Sequence, residues 1–571
     1  MTVRDENLLM RPFSVIEEGQ DFWFWSGAIT DHPDHAEKSF EFELENVAGV
    51  DSSASLTVTF VGFGYSFNAG GSVMVNTHHV GDFYGPIFSH EKATFQFDQS
   101  FLKNGVNRIK LIGQQAGFLV DRFDIGYSRL LHTSTNELLV RTDNDDVVSI
   151  TGFTTAAVKV YDVSDPLRPM RLPVGKTSSA DGSSTVVSFA PSTTPGRYLA
   201  VGFDAVRRPS STVGRAKSEL RSVPGAEYLI ITTAELMDRV ERLAEHRRDT
   251  GLKTMVIDVE DIFDDFAFGA RDPAAITAFL TYAMDHWMMQ PKYVLLAGRG
   301  HYDYRDLTGY GGNLIPPALA ATPRGLIPSD NKLADLDGNG LPDVAIGRLP
   351  VLNATELSSV IDKIITYEME ASGPWANRVV LVADNPDDAG DFYDSSDSLA
   401  QYLTGDRTVE EYYLSHPNTA DEIHNRLMNS LHAGVGVVNW IGHAGFNSLA
   451  HEHVLETSDL AELGLTDHPA MVLGLTCLIN NHGFPYFSSL GEELVVKPLG
   501  GAMGVWSSSG LSKNTQAENL GTSFMAALDS PDHPRLGDII QKAFKDFGVS
   551  EADVQTIHQY LLLADPATIV K

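Results

Sequence analysis

The chain has 571 residues, 43% hydrophobic and 20% charged, with 42 Lys and Arg against 75 Asp and Glu for a net charge of −33. That length exceeds a single hydrophobic core and implies about three or four domains. The acidic balance, with no Lys/Arg cluster to interrupt it, argues against nucleic acid and anionic membranes as partners, and no apolar run approaches the roughly eighteen residues of a membrane-spanning helix.

The chain opens Met1-Thr-Val-Arg-Asp-Glu-Asn7, with charges where a secretion signal would place its apolar stretch. Either the protein stays inside the cell or a leader is absent from this sequence. From Phe40 to about Tyr127, short alternating segments such as Ser55-Leu-Thr-Val-Thr-Phe60 and Arg108-Ile-Lys-Leu-Ile112 lie between Gly, Asn and Asp residues. That spacing predicts a jelly-roll-like β-sandwich over residues 1–130. A small β-rich unit over 131–206 is expected from Ala157-Val-Lys-Val-Tyr-Asp162 and Ser184-Thr-Val-Val-Ser-Phe189, and the Ser/Arg/Pro-rich residues 207–224 read as a linker.

Beyond the linker, strands alternate with helices. Tyr228–Thr232, Thr254–Asp258, Tyr293–Ala297 and Val344–Gly347 are short apolar runs bounded by turn residues, with helical stretches at Glu235–Asp249 and Pro273–Trp287. This is the pattern of a parallel sheet covered on both faces, over residues 225–374. The alternation restarts after Trp375 with Val379–Ala383 and Val409–Leu414 and runs to Ala502–Trp506, predicting a second α/β subdomain over 375–571.

Two residues in that second subdomain carry the chemistry. Cys477, the only cysteine, ends the apolar run Met471-Val-Leu-Gly-Leu-Thr-Cys477, and His443 lies in the Gly442-His-Ala-Gly445 turn that ends Gly434–Ile441. A lone cysteine is commonly a small buried hydrophobe, and a lone histidine beside glycines a turn residue. Together they suggest more: strand ends of a parallel sheet line one crevice, and a thiol needs a nearby base to become an attacking thiolate. One cysteine cannot form an intrachain disulfide, so the redox compartment stays open.

The second half resembles the gingipain-type cysteine peptidases, whose catalytic unit has a caspase-like fold. The likeness rests on short blocks spread over residues 225–571: Tyr293-Val-Leu-Leu-Ala-Gly298, Pro328-Ser-Asp-Asn331, Asp343-Val-Ala-Ile-Gly-Arg-Leu-Pro350, Asn439-Trp-Ile-Gly-His-Ala-Gly445, Leu475-Thr-Cys477, Phe487 to Leu494, Gly500-Gly-Ala-Met-Gly-Val-Trp-Ser507 and Leu562-Leu-Ala-Asp-Pro-Ala567. The resemblance implies Cys477 as nucleophile, His443 as general base and acid, and an oxyanion hole from the N–H groups of Cys477 and of Ala444 or Gly445. It implies a protein or peptide substrate, an extracellular location, and no cofactor for the chemistry itself.

By the same resemblance Asp330 matches an acidic position that receives a basic side chain before the scissile bond, an alternative to a turn or helix N-cap role. Trp506 would wall that pocket or else pack in the core. Asp335, Asp337, Asn339 and Asp343 place oxygens as in the first half of a calcium loop, although Ile346 stands where an EF-hand glutamate would be. A structural calcium thus competes with a plain Asp/Gly turn, and calcium binding in the family favours the ion. For a third group orienting His443, Glu452, Asp303 and Asp306 are candidates and none stands out. Gly175-Lys-Thr177 lacks the first glycine of a phosphate loop, His451-Glu-His453 lacks zinc-peptidase spacing, and no Gly-x-Ser-x-Gly elbow occurs. Two readings rival an endopeptidase: a sortase-like transpeptidase using the same dyad, and a binding or adhesion protein with a degenerate peptidase domain.

Overall fold

A computed structural model of the protein describes residues 2–49, 52–64, 68–114, 116–208, 218–370, 373–403, 407–415, 419–464, 466–528, 534–548 and 550–570. The chain forms two compact units, residues 1–9 with 24–216, and residues 10–23 with 217–571.

Alternation along the strands organises the first unit. In Glu37–Leu44 the side chains of Phe40, Phe42 and Leu44 are buried while Glu41 and Glu43 are exposed. The buried set meets Leu56, Val58 and Phe60 of a second sheet, each such side chain contributing about 1.5–3 kcal/mol. The two sheets are antiparallel and four-stranded. One runs in the order Thr2–Asp5, Phe118–Gly126, Ser53–Gly62, His90–Asp98, and the other Glu37–Leu44, Gly105–Gly113, Asn68–Val75, His78–Pro86. A smaller pair of antiparallel sheets follows between Glu137 and Gly202, around Val140, Ile150, Val160, Val187 and Tyr198. Gly175–Ser178 is a strand of that pair. Of the expected linker 207–224, residues 209–217 lie outside the described residues.

The second unit is α/β throughout its body. Strands β1 (Tyr228–Thr232), β2 (Thr254–Asp258), β3 (Tyr293–Ala297) and β4 (Ala345–Leu349) form a parallel sheet in the order β2-β1-β3-β4. Every residue of β1, β3 and β4 is buried, which explains their largely apolar character, broken in β4 by the ion-paired Arg348: helices α1 (Met237–Asp249), α2 (Val259–Ala267) and α3 (Ala274–His286) supply apolar faces to this sheet. After helix α4 (Ala354–Met369) the second sheet begins with β5 (Arg378–Ala383), followed by helix α5 (Phe392–Ala400) and β6 (Thr408–Tyr413). Then come α6 (Ala420–Ala433), β7 (Val437–Ile441), β8 (Ala470–Leu475), α7 (Leu490–Val496), β9 (Ala502–Ser508), α8 (Asn514–Leu528), α9 (Leu536–Phe547), α10 (Glu551–Gln559) and β10 (Tyr560–Leu563). Its order is β6-β5-β7-β8-β9-β10, parallel except for the antiparallel β10 at the edge.

Residues 10–23 differ from expectation, since the sequence assigned them to the first β domain. Pro12 starts a short 3₁₀ turn there, and apolar side chains carry the segment onto the α/β unit. The Phe13 ring lies 6.1 Å from Phe446 and 5.9 Å from Phe484, and Phe22 meets Tyr302 edge-on at 5.9 Å.

Candidate active site

Strands β7 and β8 are neighbours in parallel register, with Ile441 opposite Leu475. His443 and Cys477 each follow two residues beyond that last pair, so both leave the sheet at the same end of adjacent strands. The two exits are tied together, because Thr476 Oγ1 donates to Gly442 O at 2.6 Å. Glycine is required at 442: φ is +151°, and a Cβ would stand 2.2 Å from the Asp384 Cβ.

The loop after β5 supplies the surroundings of His443. Buried Asp384 accepts the His443 backbone N–H at 3.0 Å, and Asp387 Oδ2 lies 2.8 Å from His443 Nε2. Phe392, at the start of α5, meets the imidazole edge-on at 5.5 Å, leaving the His443 side chain 51% exposed. Burial pushes the Asp384 carboxyl above its usual range against the N–H bonds from His443 and Asn385. Burial also works against ionised Asp387, but there the Ala389 amide and the His443 imidazole prevail and hold it below the usual range.

Cys477 is partly buried. Its Sγ receives the Ser512 N–H at 3.3 Å and lies 3.7 Å from Ser512 O, and burial raises the thiol above its usual value, with the Ser512 N–H pulling the other way. The thiol and imidazole have these separate partners and do not hydrogen-bond each other. Leu478 has φ +61° and its N–H donates to Gly510 O at 3.0 Å.

Of the expected oxyanion donors, the Gly445 N–H is committed to Ser448 O at 2.9 Å, closing a tight turn, and this removes it as a donor to substrate. The N–H groups of Cys477 and Ala444 have no partner among the described residues.

The two expected pocket residues are corrected. The Asp330 carboxylate is buried and grips Arg348 with both oxygens at 2.7 Å; the guanidinium keeps it ionised although burial opposes this. It is not open to a substrate side chain. Ser329, not Asp330, caps the helical turn that follows. Trp506 is fully buried, with its ring 5.1 Å from Phe524 and 5.5 Å from Phe544, and Nε1 donating to Tyr560 O.

None of the three expected orienting groups bonds His443. Asp303 accepts the Leu307 and Thr308 N–H groups, Asp306 accepts Gly311 N–H, and Glu452 acts on Asp384 only through its charge. Asp387, which sequence reasoning missed, holds the ring instead. Its signal was its place in the turn after Val379–Ala383, a strand that pairs with β7.

At the expected calcium loop, Asp335, Asp337 and Asp343 bring one carboxylate oxygen each within 4.8 Å of one another. Asp335 Oδ1 is buried without a partner, whereas Asn339 is turned inward on the loop, donating to Asp337 Oδ2 and accepting Leu341 N–H.

No helix among the described residues is long and apolar enough to cross a membrane. No curated protein matches the chain. The fold is similar to that of dimeric latent PorU from Porphyromonas gingivalis, with a TM-score of 0.51 and 16% identity over 64% of this chain and 38% of that one. It is also similar to the Arg-specific cysteine proteinase gingipain R, RgpB, at a TM-score of 0.51 and 17% identity over 61% of this chain and 79% of that one. Of PorU's length, then, the chain spans little more than a third. The model of peptidase family C25 matches residues 221–571, where both sheets and the His443 and Cys477 loops lie, and the chain belongs to this gingipain family of cysteine peptidases.

Proposed function

We propose that the protein is an endopeptidase that cleaves peptide bonds through Cys477 and His443. The observation that carries this reading is the pair of register-matched strand exits, joined by the Thr476–Gly442 hydrogen bond, with the imidazole held by Asp387. A neutral imidazole that donates Nε2–H to Asp387 keeps its lone pair on Nδ1, the atom left to accept a proton. Because burial favours the protonated thiol at rest, proton removal accompanies attack instead of preceding it.

His443 takes the Sγ proton as sulfur bonds to the substrate carbonyl carbon. The electron pair moves to oxygen, where the N–H groups of Cys477 and Ala444 are free to receive it. The imidazolium then protonates the leaving amine as the C–N bond breaks, leaving a thioester. Water, deprotonated by His443, hydrolyses that thioester, releasing the acid and restoring the thiol.

A preference for a basic residue before the scissile bond remains part of this reading, and Asp330, buried against Arg348, is not the group that would receive it. Asp335, Asp337 and Asp343 would hold a structural calcium, a reading supported by the unpartnered buried oxygen of Asp335, and the ion would supply charge neutralisation to the loop and no chemistry to bond cleavage.

Cleavage of a peptide library tests the assignment. Cys477→Ala and His443→Ala each abolish cleavage with the fold intact, and full activity in either variant refutes the mechanism. An added amine acceptor separates hydrolysis from transpeptidation, since conjugated product in place of free acid would mark the latter.

A further inference from the structure

Ser512, in the turn between β9 and α8, is the only described residue that hydrogen-bonds the Cys477 sulfur, and it does so with both backbone groups. The same turn also holds the next residue, since Gly510 O accepts the Leu478 N–H that stabilises its left-handed backbone. What fixes the turn lies beneath it. Ser512 Oγ is 3.1 Å from the hydroxyl of Tyr560, the first residue of β10. Tyr560 is fully buried and anchored on its other sides. It pairs with Ser508 in the sheet, its carbonyl accepts from Trp506 Nε1 at 3.2 Å and Asn331 Nδ2 at 2.9 Å, and its ring packs 5.9 Å from Trp506. A rigid phenol therefore reaches the nucleophile loop through its hydroxyl, which bonds Ser512 Oγ and also meets the backbone of Thr476 beside Cys477.

We propose that Tyr560 is a positioning residue for the nucleophile, acting through Ser512 to keep a backbone N–H aimed at the Cys477 sulfur. This rests on the reading of Cys477 as the attacking group. The physical reason lies in the two contacts: an N–H at 3.3 Å favours the thiolate, and a carbonyl at the longer 3.7 Å favours the thiol. The turn as built leans toward the thiolate, and loosening it raises the proton affinity of sulfur. A phenol buried only to fill space and satisfy its hydroxyl would leave that affinity unchanged.

The chain's single cysteine makes the test direct, because iodoacetamide reports on Cys477 alone. Alkylation rate is measured against pH in the full chain for the wild type, Tyr560→Phe, Ser512→Ala and the double variant. The other titratable groups on elements around the thiol are His443 after β7, Asp384 and Asp387 after β5, and Lys513 beside Ser512; all are common to the four proteins. Each single variant moves the inflection up by about one pH unit, or about tenfold slower alkylation below it. The double variant moves it no further than Tyr560→Phe alone, because the Tyr560–Ser512 bond is already lost in that variant. An unmoved inflection in Tyr560→Phe or Ser512→Ala, or additive shifts in the double variant, would overturn the proposal while leaving the nucleophile assignment standing. A wild-type Cys477 that fails to react at any pH overturns both.

Discussion

Arg247 and Asp565, 318 residues apart in sequence, form an ion pair at 2.8 Å with both side chains fully buried. The guanidinium also donates to both carboxylate oxygens of Glu368, so α1, α4 and the segment after β10 meet at one cation. Asp565 belongs to one of the blocks by which the second half resembles its family, and its position in the fold explains why an acid stands there.

Removing Arg247 leaves two buried carboxylates without their cation, and removing the Asp565 charge leaves the buried guanidinium with Glu368 alone. Asp565→Asn and Arg247→Met each lower unfolding stability by about 3–5 kcal/mol, read by chemical denaturation. The neighbouring Glu368 gives the network a pH signature. Burial works against its ionised form, but Arg247 prevails and holds its pKa below the usual range. A depressed folded value means stability that is full above the unfolded glutamate pKa of about 4.3 and lost as pH falls through the lower folded value. Melting temperature therefore drops on acidification below about pH 4, and Glu368→Gln flattens that limb.

Asp330→Asn separates a pocket role from a packing role. Its carboxylate neutralises buried Arg348, so the change costs on the order of 3 kcal/mol of stability and leaves the ratio of Arg to neutral substrates in a cleavage profile unaltered. A selective loss of cleavage after basic residues, with stability unchanged, would contradict this.

Asp387→Ala frees the imidazole to rotate. Peptidase kcat falls on the order of a hundredfold with little change in KM, whereas Glu452→Ala leaves both near wild type. Equal effects at the two positions would remove Asp387 from its orienting role.

Calcium titration of chelator-treated protein raises the melting temperature, and Asp335→Asn blunts that rise. Isothermal calorimetry on the same two proteins checks the binding directly, and heat of binding that Asp335→Asn leaves untouched would relocate the ion.

Much of the fold could be read from the chain because strands buried on two faces write themselves as short apolar runs. Tyr228–Thr232, Thr254–Asp258 and Tyr293–Ala297 begin and end where the runs do. The positions of His443 and Cys477 at strand exits were legible for the same reason. Pairings across long separations were not. In a chain with 75 acidic residues nothing in the local pattern of Asp387 distinguishes it from Asp303 or Asp306, and only the pairing of β5 with β7 brings it to His443. Asp330 misled because the matched block conveys an acid and not its partner Arg348. Residues 10–23 escaped because their attachment depends on which apolar surface Phe13 and Phe22 find.

The antiparallel edge strand β10 has a consequence for biogenesis. Asn480, three residues past Cys477, donates from one amide to the carbonyls of Val505 and Leu561, so the loop bearing the thiol is braced on a strand translated long after it. On a ribosome, a nascent chain that already displays the thiol and imidazole still lacks this brace and the Tyr560 hydroxyl. The loop bearing Cys477 therefore gains its full set of contacts only once Tyr560–Leu563 has joined the sheet.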